Sequence, residues 1–198
     1  MLVIIISILV VALDMVLMKL GDVKLLTMHL HKLLGVESAI VHSQFFSGTH
    51  TVTCALFAIL RPGDELLAVA GAPYDTLEEV LGKRNLHGLG SLKDFGVTHR
   101  EVPLAEDGEL DKEALMGAIK AITKCALIQR SCGYSWCKSL SISEIRRAIK
   151  IIKLQNPDCS IMVDNCYGEF VESIEPPMVR EKNRSEQLLH VSLHLVLV

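Results

Sequence analysis

The sequence predicts an α/β domain with a mainly parallel sheet and flanking helices. Three observations predict it. Short apolar runs alternate with segments of helical periodicity, and the helical segments carry their own start and stop signals. The apolar runs are also continuous rather than alternating, the pattern of strands covered on both faces.

In chain order, "ESAIVHSQ" reads as a short strand and turn. "GTHTVTCALFAIL" follows as a helix with Val52, Leu56 and Ile59 along one side. "RPGDE" is a turn, "LLAVAG" a buried strand, and "PYDTLEEVLG" a helix that Pro73 opens and Gly82 closes. After the loop "HGLGSLKDFG", "THREVPL" alternates as a strand does, and Asp111 caps the helix "KEALMGAIKAI". "KCALIQ" is the next strand. Ser141 and Glu144 form a capping box before "IRRAIKIIKLQ", Pro157 ends that helix, and "SIMVDN" is the last strand of the series. Helices between consecutive strands imply right-handed βαβ crossovers.

Composition narrows the function. The 198 residues are 50% apolar and 22% charged, with a net charge of −3, so no basic excess points to nucleic acid. Six cysteines occur without a CxxC pair or a zinc spacing, and they read as reduced packing thiols with no metal. Leu2 to Leu13 is an apolar run short for a membrane span and comparable to a signal-peptide core. No Lys or Arg precedes it and no small-residue cleavage site follows, so neither membrane insertion nor secretion is expected and the protein is read as cytoplasmic. "GLGSLK" lacks the third glycine and the strand-to-helix context of a dinucleotide-binding turn.

Ligands of an open α/β sheet sit beyond the carboxyl ends of the strands, against helix N-termini. Three segments place polar residues there. Ser47-Gly48-Thr49 begins a helix, and its N–H groups, two hydroxyls and glycine suit a phosphate; a plain cap by Thr49 is the commoner use of such residues. Tyr74, after a strand and a Gly-Ala-Pro turn, has a ring able to cover a flat ligand or simply to anchor the turn. Asp164, followed by Asn165, ends an apolar strand. A carboxylate there can keep a pyridine nitrogen protonated, or it can serve as an ordinary turn residue.

Taken together and in order, these segments resemble a known family. "SQFFSGTH", "LRPGDELL", "GAPYDTLEEV", "GSLKDFG", "IQRSCGYS" and "VDNCYGEFVE" with "IEPP" span residue 35 to Val179. This stretch is similar to the pyridoxal-phosphate enzymes of cysteine and methionine metabolism, in the branch called aluminium resistance proteins or methionine gamma-lyases. The resemblance implies the large domain of the aspartate-aminotransferase-type fold (fold type I) and a carbon–sulfur lyase acting on a sulfur amino acid. It implies pyridoxal 5′-phosphate as cofactor, with Ser47, Gly48 and Thr49 near its phosphate, Tyr74 stacked on its ring and Asp164 at its ring nitrogen. Ser131 becomes a candidate cofactor contact and Arg130 a candidate substrate contact, although an Arg after a strand is more often a surface ion pair. Relatives of this fold generally build their sites in homo-oligomers.

The chain departs from the family at both ends. The family's Schiff-base lysine lies in a motif like Ser-Leu-Ile-Lys-Asn-Pro-Gly-Gly, which is absent here; counting forward puts its position at His190. Lys182 lies in a polar run, and nothing in the sequence places Lys93 over a ring. No catalytic residue is therefore assigned. Residues 1–35 form an atypical apolar segment; Ile8 to Gly35, read one base out of frame, approach the family's Gly-Tyr-Gly loop and following helix. Residues 36–179 form the incomplete large domain and residues 180–198 a divergent tail. The expectation is weak, non-covalent cofactor binding with negligible turnover. The alternative is a non-catalytic partner of a full-length subunit, or a fragment without enzymatic role.

Overall fold

The protein is described from a computed structural model, and the described residues are 3–11, 38–41, 45, 47–83, 90–131, 138–168, 171–176 and 188–197. Cys132, Cys137 and Lys182 lie outside them. The strands are β1 (Val3–Val11), β2 (Ser38–Val41), β3 (Glu65–Ala68), β4 (Thr98–Glu101), β5 (Thr123–Gln129), β6 (Ser160–Asp164) and β7 (Leu188–Leu197). The helices are α1 (Gly48–Ile59), α2 (Asp75–Leu81), α3 (Lys112–Ala118) and α4 (Ile142–Gln155). One seven-stranded sheet runs in the order β2-β1-β7-β6-β5-β3-β4, and every pairing is parallel.

Successive residues of the central strands feed two different cores, because side chains on a strand alternate between faces. Leu67, Ala126, Ile128, Ile161 and Val163 pack with Leu115 of α3 and with Ile145, Ile149 and Ile152 of α4. Leu66, Cys125, Leu127 and Met162 pack with Val52 and Leu56 of α1 and with Leu77 and Leu81 of α2. The result is a helix–sheet–helix sandwich, which explains why these strands read as unbroken apolar runs. Burial pushes the thiols of Cys125 and Cys159 upward, the latter to about 11, so both behave as apolar filler.

Local signals account for the helix ends, with two corrections. Ser141 accepts from Glu144 N while the Glu144 side chain accepts from Ser141 N at 2.7 Å, a complete capping box. Asp111 caps α3 through Ala114 N at 2.9 Å. Pro73, however, precedes the Tyr74 cap of α2 rather than opening the helix; Gly82 closes it in a left-handed conformation at φ 80°. Helix α3 also stops at Ala118, short of the predicted Ile122. The Ala118 carbonyl accepts from the Arg100 guanidinium, and the Lys120 carbonyl accepts from Asn156 Nδ2 at 3.0 Å. The last carbonyl of the helix and one just beyond it are thus held by other elements.

Two further strands lie in the terminal segments, for which the sequence predicted no secondary structure. Val3–Val11 is a strand between β2 and β7, and Leu188–Leu197 is a strand between β1 and β6. His190, the position counted for the absent lysine, pairs in register with Val163.

Arg100 also grips Glu65, with Nε to Oε2 at 2.7 Å and Nη2 to Oε1 at 2.8 Å, and Thr123 donates to Oε1 at 2.6 Å. The Arg100 bond chiefly holds the Glu65 carboxyl below the usual glutamate range, against a smaller opposing effect of burial. A carboxylate with a depressed native pKa stabilises the fold above its unfolded pKa, and that contribution is lost as pH falls through the native value. Arg100→Gln should cost roughly 1–3 kcal/mol in urea unfolding at neutral pH by leaving a buried charged partner. Its deficit should shrink as the pH drops below about 4, the ordinary glutamate range.

Candidate functional site

Beyond the last residues of β3, β5 and β6, several polar groups converge on the face covered by α1 and α2. Alternation decides which. Asp164 follows Met162 by two residues, and Gln129 follows Leu127 by two, so both continue the row that packs under α1 and α2. They are register partners across β5 and β6.

Asp164 is 7% exposed, and its Oδ1 accepts from Cys166 N at 3.1 Å, an Asx turn that fixes the carboxylate as the chain leaves the strand. Gln129 accepts from Tyr74 N at 3.2 Å through Oε1 and donates to the Ser131 carbonyl at 2.9 Å through Nε2, so it ties the turn after β3 to the end of β5. Ser131 donates to the Cys166 carbonyl at 2.7 Å, locking the two strand ends together.

Tyr74 is half-buried against the α1/α2 core. Burial raises its phenol well above the usual range; a hydrogen bond from Thr49 opposes this, while the charges of Asp164, Cys166 and Asp75 add to it. Gln129, the register partner of Asp164, accepts from Tyr74 N, and Thr76, two residues on, bonds Thr49, so Thr49, Tyr74 and Asp164 share one neighbourhood. The Thr49 hydroxyl also meets that of Thr76 at 2.9 Å, linking the first turns of α1 and α2.

At the start of α1 the capping residue is Ser47, not Thr49: its Oγ accepts from His50 N at 3.1 Å. That leaves the Thr49 side chain directed to Thr76 and Tyr74, and it leaves the Gly48 and Thr49 N–H groups as first-turn donors with no intrahelical acceptor. An N-terminal turn with a positive dipole end beside two hydroxyls suits a phosphate.

Arg130 is neither exposed nor a surface ion pair: it is 3% exposed. Nη1 donates to Asn165 Oδ1 at 2.8 Å and to the Gly168 carbonyl at 2.5 Å, Nη2 meets Glu172 Oε1 at 2.8 Å, and Nε donates to the Leu140 carbonyl at 3.2 Å. The guanidinium is engaged with the protein itself, on the α4 side of the sheet. Sequence reasoning also passed over Gln129, Thr76 and Gly168. Gln129 carried the same signal as Asp164, a polar residue closing an apolar strand; the other two carried none.

Among the described residues no group of three or more His, Cys, Asp or Glu side chains could hold a metal ion, and no helix is long and apolar enough to cross a membrane.

A family model described as methionine gamma-lyase matches residues 21–182, a range that takes in part of the apolar N-terminal segment. The protein YnbB of Bacillus subtilis (strain 168) is 50% identical over 142 residues, covering 72% of this chain and 34% of that protein. A Listeria innocua protein provisionally named a cystathionine beta-lyase involved in aluminum resistance is similar with a TM-score of 0.75 and 48% identity, over 78% of this chain and 38% of its own. The N-succinyldiaminopimelate aminotransferase of Mycobacterium tuberculosis, at 18% identity and a TM-score of 0.60, shows the fold alone. The chain spans about a third of the length of the curated relative.

The raised phenol gives a direct check on this geometry. Alkaline absorbance titrations of the wild type and of Tyr74→Phe should coincide up to about pH 11, because free tyrosines ionise near pH 10 while this one stays neutral. A wild-type curve exceeding the variant by one phenolate near pH 10 would contradict the buried placement.

Proposed function

Because this chain belongs to the methionine gamma-lyase family, we propose that it carries the cofactor-facing part of a pyridoxal-phosphate-dependent carbon–sulfur lyase of sulfur amino acid metabolism. The observation that carries the reading is the shared neighbourhood of Thr49, Tyr74 and Asp164 at the carboxyl ends of the strands.

The donor set fits the group. Gly48 and Thr49 N–H groups and the Thr49 hydroxyl would hold a phosphate at the positive end of α1. The neutral Tyr74 ring would lie against a flat heterocycle, and the Asp164 carboxylate would hold a proton on a pyridine nitrogen. When bound, the cofactor supplies an electron sink for cleavage beside an amino group. Ser131 supports the site at one remove, by fixing the Cys166 carbonyl next to Asp164.

No lysine of the family motif is present, and His190 stands at its counted position. On this reading these residues hold the cofactor non-covalently with negligible turnover, in the cytoplasm, alone or beside a full-length subunit. Titration with pyridoxal phosphate, followed by absorbance or fluorescence, should give weak saturable binding. Asp164→Asn should weaken it by roughly tenfold or more, the loss of one charge-assisted hydrogen bond. Borohydride reduction and mass analysis should leave every lysine unmodified. A cofactor adduct on any lysine overturns the non-covalent reading, and no saturable binding overturns the assignment itself.

A further inference from the structure

We propose that Arg130 is a positioning residue for Asp164: its buried guanidinium holds the turn that follows β6, and that turn holds the carboxylate. The inference rests on the site reading above only for what Asp164 faces, not for how it is held.

Asp164 is the last residue of β6, and its Oδ1 is fixed by the N–H of Cys166, two residues on. The carboxylate direction therefore depends on the conformation of residues 165–168. A backbone bond from Gly168 N to the Asn165 carbonyl at 2.8 Å closes this turn, and Tyr167 stands at φ 66°, a left-handed conformation unfavourable for a non-glycine residue. Something outside the turn must select it.

Ser131 holds the Cys166 carbonyl and Glu175 Oε2 accepts from Asn165 Nδ2 at 3.0 Å, but Arg130 alone of these grips the turn at both ends. Its backbone N–H donates to the Asp164 carbonyl at 2.9 Å, and Nη1 bridges the Asn165 side chain and the Gly168 carbonyl, the first and last residues of the turn. The fit is tight. A Cβ on Gly168 would stand 2.6 Å from Arg130 Cδ and 2.6 Å from Asn165 Oδ1, so only glycine admits the guanidinium at this point. The far end is anchored in turn. Glu172 Oε1 takes both Arg130 Nη2 and the N–H of Ile142, the first residue of α4, at 2.9 Å. A planar fork with donors at fixed angles can serve these partners at once; a lysine ammonium cannot.

The same parity that turns Asp164 toward α1 and α2 turns Arg130 and Asn165 toward α4. Arg130 thus acts on the site from the opposite face of the sheet, through the backbone of the turn.

The test combines amide exchange with cofactor affinity in Arg130→Gln, Arg130→Lys, Glu172→Gln, Asp164→Asn and the Arg130→Gln/Asp164→Asn double variant. Amides of Asn165 to Gly168 should exchange at least about tenfold faster in Arg130→Gln, with those of α1 unchanged, and Arg130→Lys should not restore protection. Pyridoxal phosphate affinity should fall about tenfold in Arg130→Gln and no further when Asp164→Asn is added, the non-additivity expected of residues acting through one another. Unchanged exchange in the turn, or additive losses, overturns the proposal. If the wild type binds no cofactor, the site reading fails and exchange alone decides the role of Arg130. If Arg130→Gln does not fold, Glu172→Gln, which removes only the outer anchor, decides by the same exchange measurement: faster exchange in the turn supports the proposal and unchanged exchange overturns it.

Discussion

The alternation of side chains along a doubly covered strand governs this molecule. In β5 and β6 it assigns each apolar residue to one of two cores, and it does not stop where the apolar residues stop. The register pairs Gln129 with Asp164, and both fall on the face of α1 and α2. The residues immediately after them, Arg130 and Asn165, fall on the face of α4 and bond to each other at 2.8 Å. Two adjacent rows of polar residues thus leave the sheet in opposite directions, one toward a candidate ligand and one into the protein. A single-residue slip of β6 against β5 would exchange these roles, so the apolar register below the site is also what keeps a carboxylate above it.

Polar groups at the margins of a sheet are costly unless each finds a partner, and two arginines meet this requirement at opposite ends. At the amino ends of the strands, Arg100 joins Glu65 and the last turn of α3, with Thr123 completing the carboxylate. At the carboxyl ends, Arg130 joins the β6 turn, Leu140 and Glu172. The Arg130 side chain is almost wholly enclosed at 3% exposure, whereas its Glu172 partner is 40% exposed. The arginine is thus enclosed, while the glutamate reaches it from the surface and is itself tied to the Ile142 N–H. That order suits a residue whose task is to define a turn rather than to meet an incoming molecule.

Much of this was legible in the sequence, and the exceptions have physical causes. The capping box of Ser141 and Glu144, the Asp111 cap and the stop at Gly82 are encoded within three or four residues, and the structure shows all three. Buried strands of β3, β5 and β6 follow from continuous apolar runs between turn signals. The early end of α3 does not, because its last carbonyl, that of Ala118, accepts from Arg100, and Asn156 holds the Lys120 carbonyl just beyond the helix, both distant in sequence. Arg130 was illegible for the same reason: its partners lie 10 to 42 residues downstream, and nothing local distinguishes a buried guanidinium from a solvated one. The strands β1 and β7 come from apolar stretches whose composition alone does not separate strand from helix or leader.

Holding a ligand and transforming it are separable demands. A helix terminus, two hydroxyls, an aromatic ring and a carboxylate each act through charge, hydrogen bonding or contact, and each can be placed by βαβ geometry without any residue beyond β6. A covalent anchor is a demand of another kind, since it needs an amine with a free lone pair at one position, and packing does not substitute for it. The strand next to β6 carries a histidine in register with Val163, one residue before the partner of Asp164. An imidazole there accepts and donates protons but forms no stable imine. Placement of the strand-end groups and covalent attachment of a ligand are thus set by different things, the first by the register of β5 and β6 and the second by one side chain.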